Sequence, residues 1–350
     1  MTGTAPSNGL ATDLRTFLRA PGQRGVSGWR TWARTLVDGQ DLDTGDLREL
    51  WNVILAFDQA LALRVRRPVP LADPAVIVAG SGKESFKTFN VSTAAAILAA
   101  AAGARVVKGV SASVSAVSGS ADILSLLGVP TVGDPEDVPR ELDRRGLAFV
   151  PYAAFCPVYA DRYDGVFSSL TPFSFFVPAS VLAVQATAFV YGVADTRVGL
   201  AARDIAAARP DVPRGTVVST VLGPGAVMDE RAPFGLHHRA DLDERRVATS
   251  VFRQPAMPGA WAVSVRHRGD HRANACRVVA ALAPDGPAGC RASAQLAELN
   301  AALILWEYHA RRLPETDALA RVRSARQEGR AAALLRALQG RPEGATRRAH

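Results

Sequence analysis

The sequence predicts an α/β fold: a small N-terminal helical domain, then a large α/β domain whose mainly parallel central sheet is covered by helices. Short apolar runs alternate with helix-like segments between residues 75 and 222. The proline-rich stretch 67–70 separates this region from helical segments before it. With 350 residues, 48% of them hydrophobic, the chain can bury a substantial core.

The predicted domain boundaries follow changes in composition along the chain. We expect a disordered tail over residues 1–12, a helical domain over 13–70 to which late helices could contribute, and the α/β domain over 71–340. Residues 341–350 read as a basic tail.

Individual elements follow from periodicity and from the residues that end each segment. Apolar runs rich in Val, Ile and Ala predict strands, and wider periodic segments bounded by Asp, Ser, Thr or Gly predict helices. Asp43 or Thr44 is the expected cap of the second helix. The predicted strands are 75–79, 104–108, 147–151, 186–193 and 216–222. The predicted helices are 29–37, 46–64, 92–102, 120–127, 198–209, 296–308 and 316–338.

All three lysines of the chain, Lys83, Lys87 and Lys108, lie between Gly80 and Asp122, and the other Lys or Arg positions are arginines. A lysine ammonium is a compact charge that can approach a phosphate end-on. Glycine, serine and threonine are dense around these lysines, and the following helix would direct its N-terminus at the loop. The pattern predicts an anion-binding loop, although three lysines in a flexible surface loop would leave the same pattern.

The overall charge indicates the class of ligand only broadly. Lysine and arginine number 41 against 33 aspartate and glutamate residues, a net charge of +8. This suits a nucleic acid, a membrane surface or a small polyphosphate. Cys156, Cys276 and Cys290 match no zinc motif and would leave one cysteine unpaired, which favours a reducing compartment. The first residues show no signal-peptide pattern, so we expect a cytoplasmic protein without membrane association.

Five short segments stand in an order that is more specific than any of them alone. They are 80–84 (GSGKE), 88–93 (TFNVST), 108–112 (KGVSA), 118–122 (SGSAD) and 228–230 (MDE). This set resembles the anthranilate phosphoribosyltransferase family, which carries Gly-Thr-Gly-Gly-Asp, Asn-x-Ser-Thr, Lys-His-Gly-Asn-Arg, Ser-Gly-Ser-x-Asp and Met-Asp-Glu. The resemblance implies a nucleoside phosphorylase/phosphoribosyltransferase-like fold.

The resemblance also implies a donor, phosphoribosyl pyrophosphate (PRPP), and a Mg²⁺ cofactor. The donor-binding residues that it implies are Gly80, Gly82, Thr88, Asn90, Ser92, Thr93, Lys108, Ser115 and Ser120. We add the chain's own Lys83, Glu84 and Lys87, since the two lysines could restore charge that the family places elsewhere. Ser92, Asp229 and Glu230 are the expected Mg²⁺ residues, although two exposed acids in a turn would look alike. No acid or base catalyst is expected, and Lys108 would act electrostatically.

The chain departs from the family where the second substrate, the acceptor, would bind. The family holds the anthranilate carboxylate with an arginine, whereas residues 166–171 (VFSSLT) contain none. The residues expected at the acceptor are Ser111, Phe167, Phe173 and Arg162, the last as a substitute cation. Because a buried carboxylate without a cation is costly, an uncharged or differently substituted aromatic molecule is the predicted acceptor. The phenylalanines of 173–178 could equally pack the core.

Two histidine pairs are weaker candidates for function. His267 and His271 have the i,i+4 spacing of metal ligands, but Gly269 between them predicts a solvated loop. The adjacent His237 and His238 could face the acceptor, but they are expected at the surface.

The sequence leaves three functional hypotheses. The leading one is a magnesium-dependent phosphoribosyltransferase that moves ribose 5-phosphate from PRPP to an aromatic or heteroaromatic acceptor in specialised metabolism. The second is a non-catalytic relative that binds nucleic acid or a protein partner through a basic groove. The third keeps the fold but uses another phosphorylated sugar or nucleoside. A homodimer is expected by analogy with the family alone.

Overall fold

The computed structural model describes residues 8–20, 31, 33, 36–37, 42–111, 119–163, 170–286 and 288–340. Its strands are β1 Val76–Gly80, β2 Val106–Val110, β3 Leu147–Pro151, β4 Ala188–Gly192, β5 Arg214–Gly223, β6 Ala226–Met228, β7 Leu236–Asp243 and β8 Arg246–Arg253. Its N-terminal helices are α1 Asn8–Arg19, α2 Thr44–Phe57 and α3 Gln59–Arg66. The helices that follow are α4 Val91–Ala101, α5 Ser120–Leu126, α6 Val138–Arg145, α7 Tyr152–Phe155, α8 Pro157–Tyr163, α9 Val177–Ser180, α10 Val198–Ala208, α11 Gly259–Val265, α12 His271–Leu282, α13 Arg291–Tyr308, α14 Glu315–Gln327 and α15 Arg330–Gln339.

The central sheet has the strand order β3-β2-β1-β4-β5-β7-β8, with β6 paired to β5. The strands β3, β2, β1, β4 and β5 are parallel, whereas β6, β7 and β8 pair antiparallel. The predicted α/β class with a mainly parallel sheet is therefore confirmed. Because parallel strands end at the same edge, the turns after β1, β2 and β4 lie together there.

The sheet separates two hydrophobic layers. Along β1, Ile77 and Ala79 face the layer that contains the N-terminal helices, and Val76 and Val78 face the layer that contains α4 and α13. This alternation is the two-residue period of a strand that is buried on both faces. Among the residues described, no helix is both long and apolar enough to span a membrane.

The N-terminal helical region begins earlier than predicted. Helix α1 starts at Asn8, inside the stretch 1–12 that we expect to be disordered. Ala11, Leu14 and Leu18 are buried at helical spacing in the same core cluster as α2, so tertiary packing orders this segment. Much of the predicted helix 29–37 lies outside the described residues.

A buried aspartate divides the predicted helix 46–64 into α2 and α3. Asp58 is fully buried, and its Oδ1 accepts a hydrogen bond from the backbone N–H of Leu61 at 3.0 Å, which caps α3. Its Oδ2 accepts from the N–H groups of Val158 and Tyr159, both at 2.9 Å, at the start of α8. One carboxylate thus caps two helices and fixes α8 to the helical region. Asp43 caps α2 as predicted.

The C-terminal half differs from the prediction in two places. The predicted helix 316–338 is two helices, because Gly329 has φ +76° and ends the first. The hairpin of β7 and β8 was not predicted, since most side chains of β8 are exposed and its sequence shows no apolar alternation.

Asp204 gives the fold a testable dependence on pH. It lies on α10, is 3% exposed and packs near α2. Burial raises its pKa to about 8, opposed in part by Thr44 and Arg203. The folded state therefore keeps a proton that the unfolded state loses near pH 4, so stability is full below that pH and falls as pH rises towards 8.

We expect Asp204→Asn to remove this loss of stability. Urea unfolding between pH 4 and 9 should show the variant gaining on the wild type by up to about 1.4 kcal/mol per pH unit below pH 8. Asp134→Asn, which changes an exposed cap, is the matched control for replacing a carboxylate by an amide. Parallel pH profiles for Asp204→Asn and the wild type would contradict the prediction.

Candidate active site

A cavity of about 210 Å³ opens at the carboxyl edge of the parallel strands, where β1 ends at Gly80 and β2 ends at Val110. It has a polar end, built from the turn after β1, Lys108 and the Asp229–Glu230 turn, and an aromatic end beside α7, α8 and α9. The predicted site residues that line it are Gly80, Gly82, Lys83, Glu84, Lys87, Thr88, Asn90, Ser92, Lys108, Ser111, Ser120, Phe173, Asp229 and Glu230. The structure thus brings together segments that are up to 150 residues apart in the chain.

The glycine turn after β1 is organised by Asp229. Its Oδ2 accepts hydrogen bonds from the backbone N–H of Gly82 at 3.0 Å and from Ser81 Oγ at 3.2 Å. Gly82 has φ +60°, a conformation that a residue with a side chain adopts at a cost. The rest of the loop is held by β6, because Ser85 Oγ accepts from the N–H of Val227 and donates to the carbonyl of Gly225. The loop is therefore held by Asp229 at Ser81 and Gly82 and by the β6 segment at Ser85.

The strand ends approach Asp229 closely, so that only glycine fits at position 192 and a side chain at position 80 would make a tight contact. A Cβ added at Gly192 would lie 1.7 Å from the carbonyl oxygen of Asp229, and one at Gly80 would lie 3.1 Å from its Oδ2. Gly80 and Gly192 are paired neighbours at the ends of β1 and β4. The Asp229–Glu230 turn therefore rests directly on the sheet backbone.

Three carboxylates gather at the polar end. Loss of water and the charge of Asp229 raise the pKa of Glu84 to about 8, while Lys87 and Lys83 oppose the rise. Burial and the charges of Asp229 and Glu84 also raise the pKa of Glu230. Glu230 Oε1 accepts from Thr88 Oγ1 at 3.1 Å. The mutual repulsion of these groups creates a site that a cation would stabilise.

The donor set fits a hard cation such as Mg²⁺. Within the described residues, the Oε2 atoms of Glu84 and Glu230 are buried and have no hydrogen-bond partner. Carboxylate and hydroxyl oxygens are the ligands that Mg²⁺ prefers, and it keeps several ligands from water and substrate phosphates. The described residues contain no group of three or more His, Cys, Asp and Glu with metal-site geometry. The arrangement thus suits a Mg²⁺ ion shared with a bound phosphate rather than a closed protein cage.

Lys108 supplies a positive charge opposite these acids. It is 3% exposed, and its Nζ donates to the carbonyl of Gly109 at 2.6 Å. Burial lowers its pKa to about 8, while Asp229 and Glu230 hold it up. A buried ammonium beside carboxylates is prepared to meet an anionic group without reorganisation.

Helix α4 directs its N-terminus at the polar end. Asn90, which precedes it, has φ +63° and gives no side-chain cap to the helix. The helix starts at Val91, and Ser92 lines the cavity. Free N–H groups at a helix start favour a bound anion. Thr93, by contrast, is fully buried and does not line the cavity, so its predicted role at the donor stays a prediction.

The aromatic end of the cavity is built from tyrosines and one phenylalanine. Tyr159 and Tyr163 are stacked with ring centroids 5.2 Å apart, and Phe173 meets Tyr163 edge-on at 5.2 Å. The residues that line this end are Tyr152, Cys156, Tyr159, Ala160, Tyr163, Phe173, Ser174, Val177, Pro178 and Val181. Within the described part of the chain, none of them carries a positive charge.

The predicted acceptor residues divide three ways. Ser111 and Phe173 line the cavity. Arg162 does not, because its Nη1 donates to the carbonyl of Ala20 at 3.2 Å. Phe167 and the predicted donor residue Ser115 lie outside the described residues. Of the other phenylalanines, Phe175 and Phe176 are buried in the core. The segment 173–178 therefore supplies both a cavity-lining phenylalanine and core phenylalanines.

Gly109 and Tyr152 form a contact that the sequence did not reveal. A Cβ at position 109 would lie 2.5 Å from Cε1 of Tyr152 and 2.9 Å from Cδ1 of Leu182. Glycine at this position therefore lets the Tyr152 ring lie across the end of β2. Sequence reasoning missed Tyr152, Tyr159 and Tyr163. The available signal was that Tyr152 directly follows the third parallel strand, with the other two on α8, the second helix after that strand.

One prediction for the histidines holds in part and the other was wrong. The segment between His267 and His271 is a loop in which Arg268, Gly269 and Asp270 are exposed, but His267 itself lines the cavity and His271 begins helix α12. His237 is 3% exposed and stacks on Phe252 at 4.8 Å, and burial lowers its pKa to about 4. It is therefore a core residue of the β7–β8 hairpin rather than a surface histidine, while His238 is partly exposed.

Comparison with known proteins gives the cavity a family context. The sequence profile described as "Glycosyl transferase family, a/b domain" matches residues 72–332, which is more than half of the chain. The chain belongs to this glycosyl transferase family. The matched region contains the whole sheet and both ends of the cavity.

Curated relatives in the glycosyl transferase family match shorter parts of the chain. A 95-residue stretch is 45% identical to the anthranilate phosphoribosyltransferase of Stenotrophomonas maltophilia, covering 27% of this chain and 26% of that protein. A longer match, over 207 residues, is 35% identical to the anthranilate phosphoribosyltransferase of Halobacterium salinarum and covers 57% of each. The chain thus spans between about a quarter and somewhat over half of these relatives' lengths in the matches. The predicted resemblance is confirmed.

Solved structures share the fold over almost the full chain. Anthranilate phosphoribosyltransferase from Thermus thermophilus superposes with a TM-score of 0.70 at 19% identity, covering 96% of this chain and 95% of that one. The enzyme from Saccharomyces cerevisiae, in complex with PRPP and Mg, gives a TM-score of 0.62 at 16% identity over 95% and 92%. At these identities the likeness shows the fold.

Asn300 of α13 positions the acidic turn in this glycosyl transferase family member. Its Oδ1 accepts from the backbone N–H of Arg231 at 3.0 Å, and its Nδ2 donates to the carbonyls of Arg231 at 2.9 Å and Leu296 at 2.8 Å. The residue after Glu230 is thereby held by both of its backbone polar groups.

We expect Asn300→Ala to leave these partly buried backbone groups of Arg231 without a protein partner. The free energy of unfolding should fall by about 1–3 kcal/mol in urea unfolding. Gln295→Ala on the same helix is the control, and its stability should stay within about 0.5 kcal/mol of the wild type. Equal stability of Asn300→Ala and the wild type would contradict the role of Asn300 in holding the backbone of Arg231.

Proposed function

We propose that this protein is a phosphoribosyltransferase that transfers ribose 5-phosphate from PRPP, with Mg²⁺, to an uncharged aromatic or heteroaromatic acceptor. The observation that carries the proposal is a single cavity whose polar end has the groups for a diphosphate and a cation, and whose aromatic end has no positive charge among its described residues. We place the reaction in specialised metabolism, because the aromatic end does not suit ordinary anthranilate.

The polar end supports PRPP as the donor. The glycine turn and the start of α4 offer backbone N–H groups, and Lys83, Lys87 and Lys108 offer positive charge to phosphate oxygens. The family relation adds weight, since the Saccharomyces cerevisiae relative has been solved with PRPP and Mg. Ser92, Asp229 and Glu230 would hold Mg²⁺, with Glu84 beside them, and the ion would neutralise charge on the departing diphosphate.

The chain's own residues would act by binding and orientation. When the ribosyl–oxygen bond breaks, negative charge grows on the diphosphate and positive charge on the sugar ring. Lys108 and the N–H groups of the loop would stabilise the negative charge on the diphosphate. No side chain is needed to move a proton before the bond breaks. Holding donor and acceptor in one cavity supplies the remaining rate enhancement.

The aromatic end supports an acceptor without a carboxylate. Its described residues are apolar or bear a hydroxyl or thiol group, and none of them is basic. Burying a carboxylate there without a cation would cost several kcal/mol. A planar neutral ring would instead pack against Tyr159, Tyr163 and Phe173.

A matched pair of acceptors tests the proposal. Anthranilamide keeps the ring and amine of anthranilate but replaces the carboxylate with a neutral amide. With PRPP and Mg²⁺, release of pyrophosphate should be faster with anthranilamide, by about tenfold or more in kcat/KM. Asp229→Asn should lose the activity with either acceptor. A preference for anthranilate would overturn the proposal that the acceptor is neutral. Absence of PRPP binding in isothermal titration would overturn the proposal that PRPP is the donor.

The other parts of the hypothesis stay predictions. A polyanion such as a nucleic acid is disfavoured in this cavity because Glu84, Asp229 and Glu230 lie among its cations. A homodimer and a cytoplasmic location are still expected, the first checked by light scattering of the purified protein and the second by fractionation of cells that express it.

A further inference from the structure

His267 belongs to the polar end of the cavity but to neither predicted set of site residues. Its backbone N–H donates to the carbonyl of Lys87 at 2.8 Å. Beside it, Thr88 and Arg266 form an antiparallel bridge, and the Arg266 guanidinium lies over the Phe86 ring at 4.8 Å. These contacts hold His267 next to the lysine-bearing loop.

The orientation of the neighbouring Asn274 amide is fixed by the backbone. Asn274 is fully buried, and its Oδ1 accepts from the N–H of Arg268 at 3.0 Å. Its Nδ2 donates to the carbonyls of Arg268 at 2.6 Å and Asp270 at 3.0 Å. If the amide were flipped, its oxygen would face the carbonyls of Arg268 and Asp270, and its NH₂ group would face the N–H of Arg268. Neither arrangement allows a hydrogen bond.

This orientation sets the tautomer of His267. The Nδ2 of Asn274 lies 2.9 Å from Nε2 of His267. Its two hydrogens are shared among the two carbonyls and this ring nitrogen, and because Nδ2 cannot accept, an unprotonated Nε2 is the form that complements it. A neutral imidazole that accepts through Nε2 carries its proton on Nδ1. Burial lowers the pKa of His267 from its ordinary value, and the charges of Lys87, His271 and Arg277 lower it further. Both effects favour the neutral ring.

We propose that His267 binds the phosphate-bearing donor as a neutral hydrogen-bond donor through Nδ1–H, and that Asn274 is the positioning residue that sets this tautomer. The inference rests on the proposed function, since it assigns a further residue to the same donor. Phosphate oxygens only accept hydrogen bonds, so a fixed N–H complements them. Lys87 supplies the charge, and His267 adds a directed bond without adding a second cation beside it.

The tautomer is tested without any substrate. In protein labelled with ¹⁵N-histidine, long-range ¹H–¹⁵N spectra at pH 7 should show His267 in the Nδ1–H form, its signals assigned by their loss in His267→Gln. Asn274→Ala should mix the two tautomers. An Nε2–H or cationic ring in the wild-type protein would overturn the proposal.

Binding is tested by isothermal titration with PRPP and Mg²⁺, and separately with inorganic pyrophosphate and Mg²⁺. His267→Phe should weaken both by about 10- to 100-fold, as expected for a lost hydrogen bond to a charged group. His267→Gln, which keeps an N–H donor, should recover part of the loss. His271→Phe is the matched control and should bind like the wild type, since His271 does not line the cavity.

The outcomes separate this inference from the proposed function. Binding of pyrophosphate but not PRPP, still weakened by His267→Phe, would overturn PRPP as donor and support His267. Unchanged affinity in His267→Phe for every anion that binds would overturn the role of His267. Failure of both anions to bind the wild-type protein would overturn both.

Discussion

Gly192→Ala is expected to disable the polar end of the cavity and to destabilise the fold. The added methyl group would lie 1.7 Å from the carbonyl oxygen of Asp229, and the opposing atom is backbone, which cannot rotate away. The Asp229–Glu230 turn would have to shift by about 1 Å or more to reach ordinary contact distance. We expect a loss of about 3 kcal/mol in the free energy of unfolding and PRPP affinity too weak to measure.

Urea unfolding and isothermal titration measure these two effects. Gly223→Ala is the control, because it also changes a strand-end glycine but meets no atom within 4 Å. Its stability should stay within about 1 kcal/mol of the wild type. If Gly192→Ala bound PRPP as the wild type does, the turn could not be resting on β4 as described.

Asp229→Asn is the second variant with a large expected effect. Asp229 orders the glycine turn through Gly82 and Ser81, and its charge supports that of Lys108. The amide keeps the shape and one acceptor oxygen but removes the charge that would attract Mg²⁺. PRPP binding in the presence of Mg²⁺ should weaken by about 100-fold or more, with unfolding changed little.

The control for charge is Asp195→Asn. Asp195 follows β4 near the same edge, pairs with Arg197 and does not line the cavity. We expect PRPP affinity to be unchanged in that variant. If Asp229→Asn and the wild type bound PRPP with equal affinity, with and without Mg²⁺, the proposed role of Asp229 in donor binding would be wrong.

The polar end could be predicted because its signal is local. Gly80 follows directly on a buried strand, and Lys83, Thr88 and Ser92 stand within the next twelve positions. A strand, a glycine turn and a helix start are adjacent in sequence and therefore adjacent in space. Asp229 is distant in the chain, and it was found through the family pattern rather than through physical reasoning on its neighbours.

The aromatic end could be predicted only in part. Phe173 was expected there, but Arg162 was too, and the structure turns Arg162 towards Ala20. The tyrosines of α8 reach the cavity because Asp58, about a hundred residues earlier, caps α8 from the helical region. Such a contact has no local signature, since any buried aspartate before a helix would look the same in the sequence.

The sequence by itself determined the fold class, the place of the glycine- and lysine-bearing loop after β1 and the absence of a basic residue from 166–171. Only the tertiary structure decided that His267 lies beside Lys87, that Gly109 makes room for Tyr152, and that Gly192 supports Asp229. The physical reason is the range of the interactions. Periodicity and turn chemistry act between neighbours in the chain, whereas strand order and packing choose which distant residues meet.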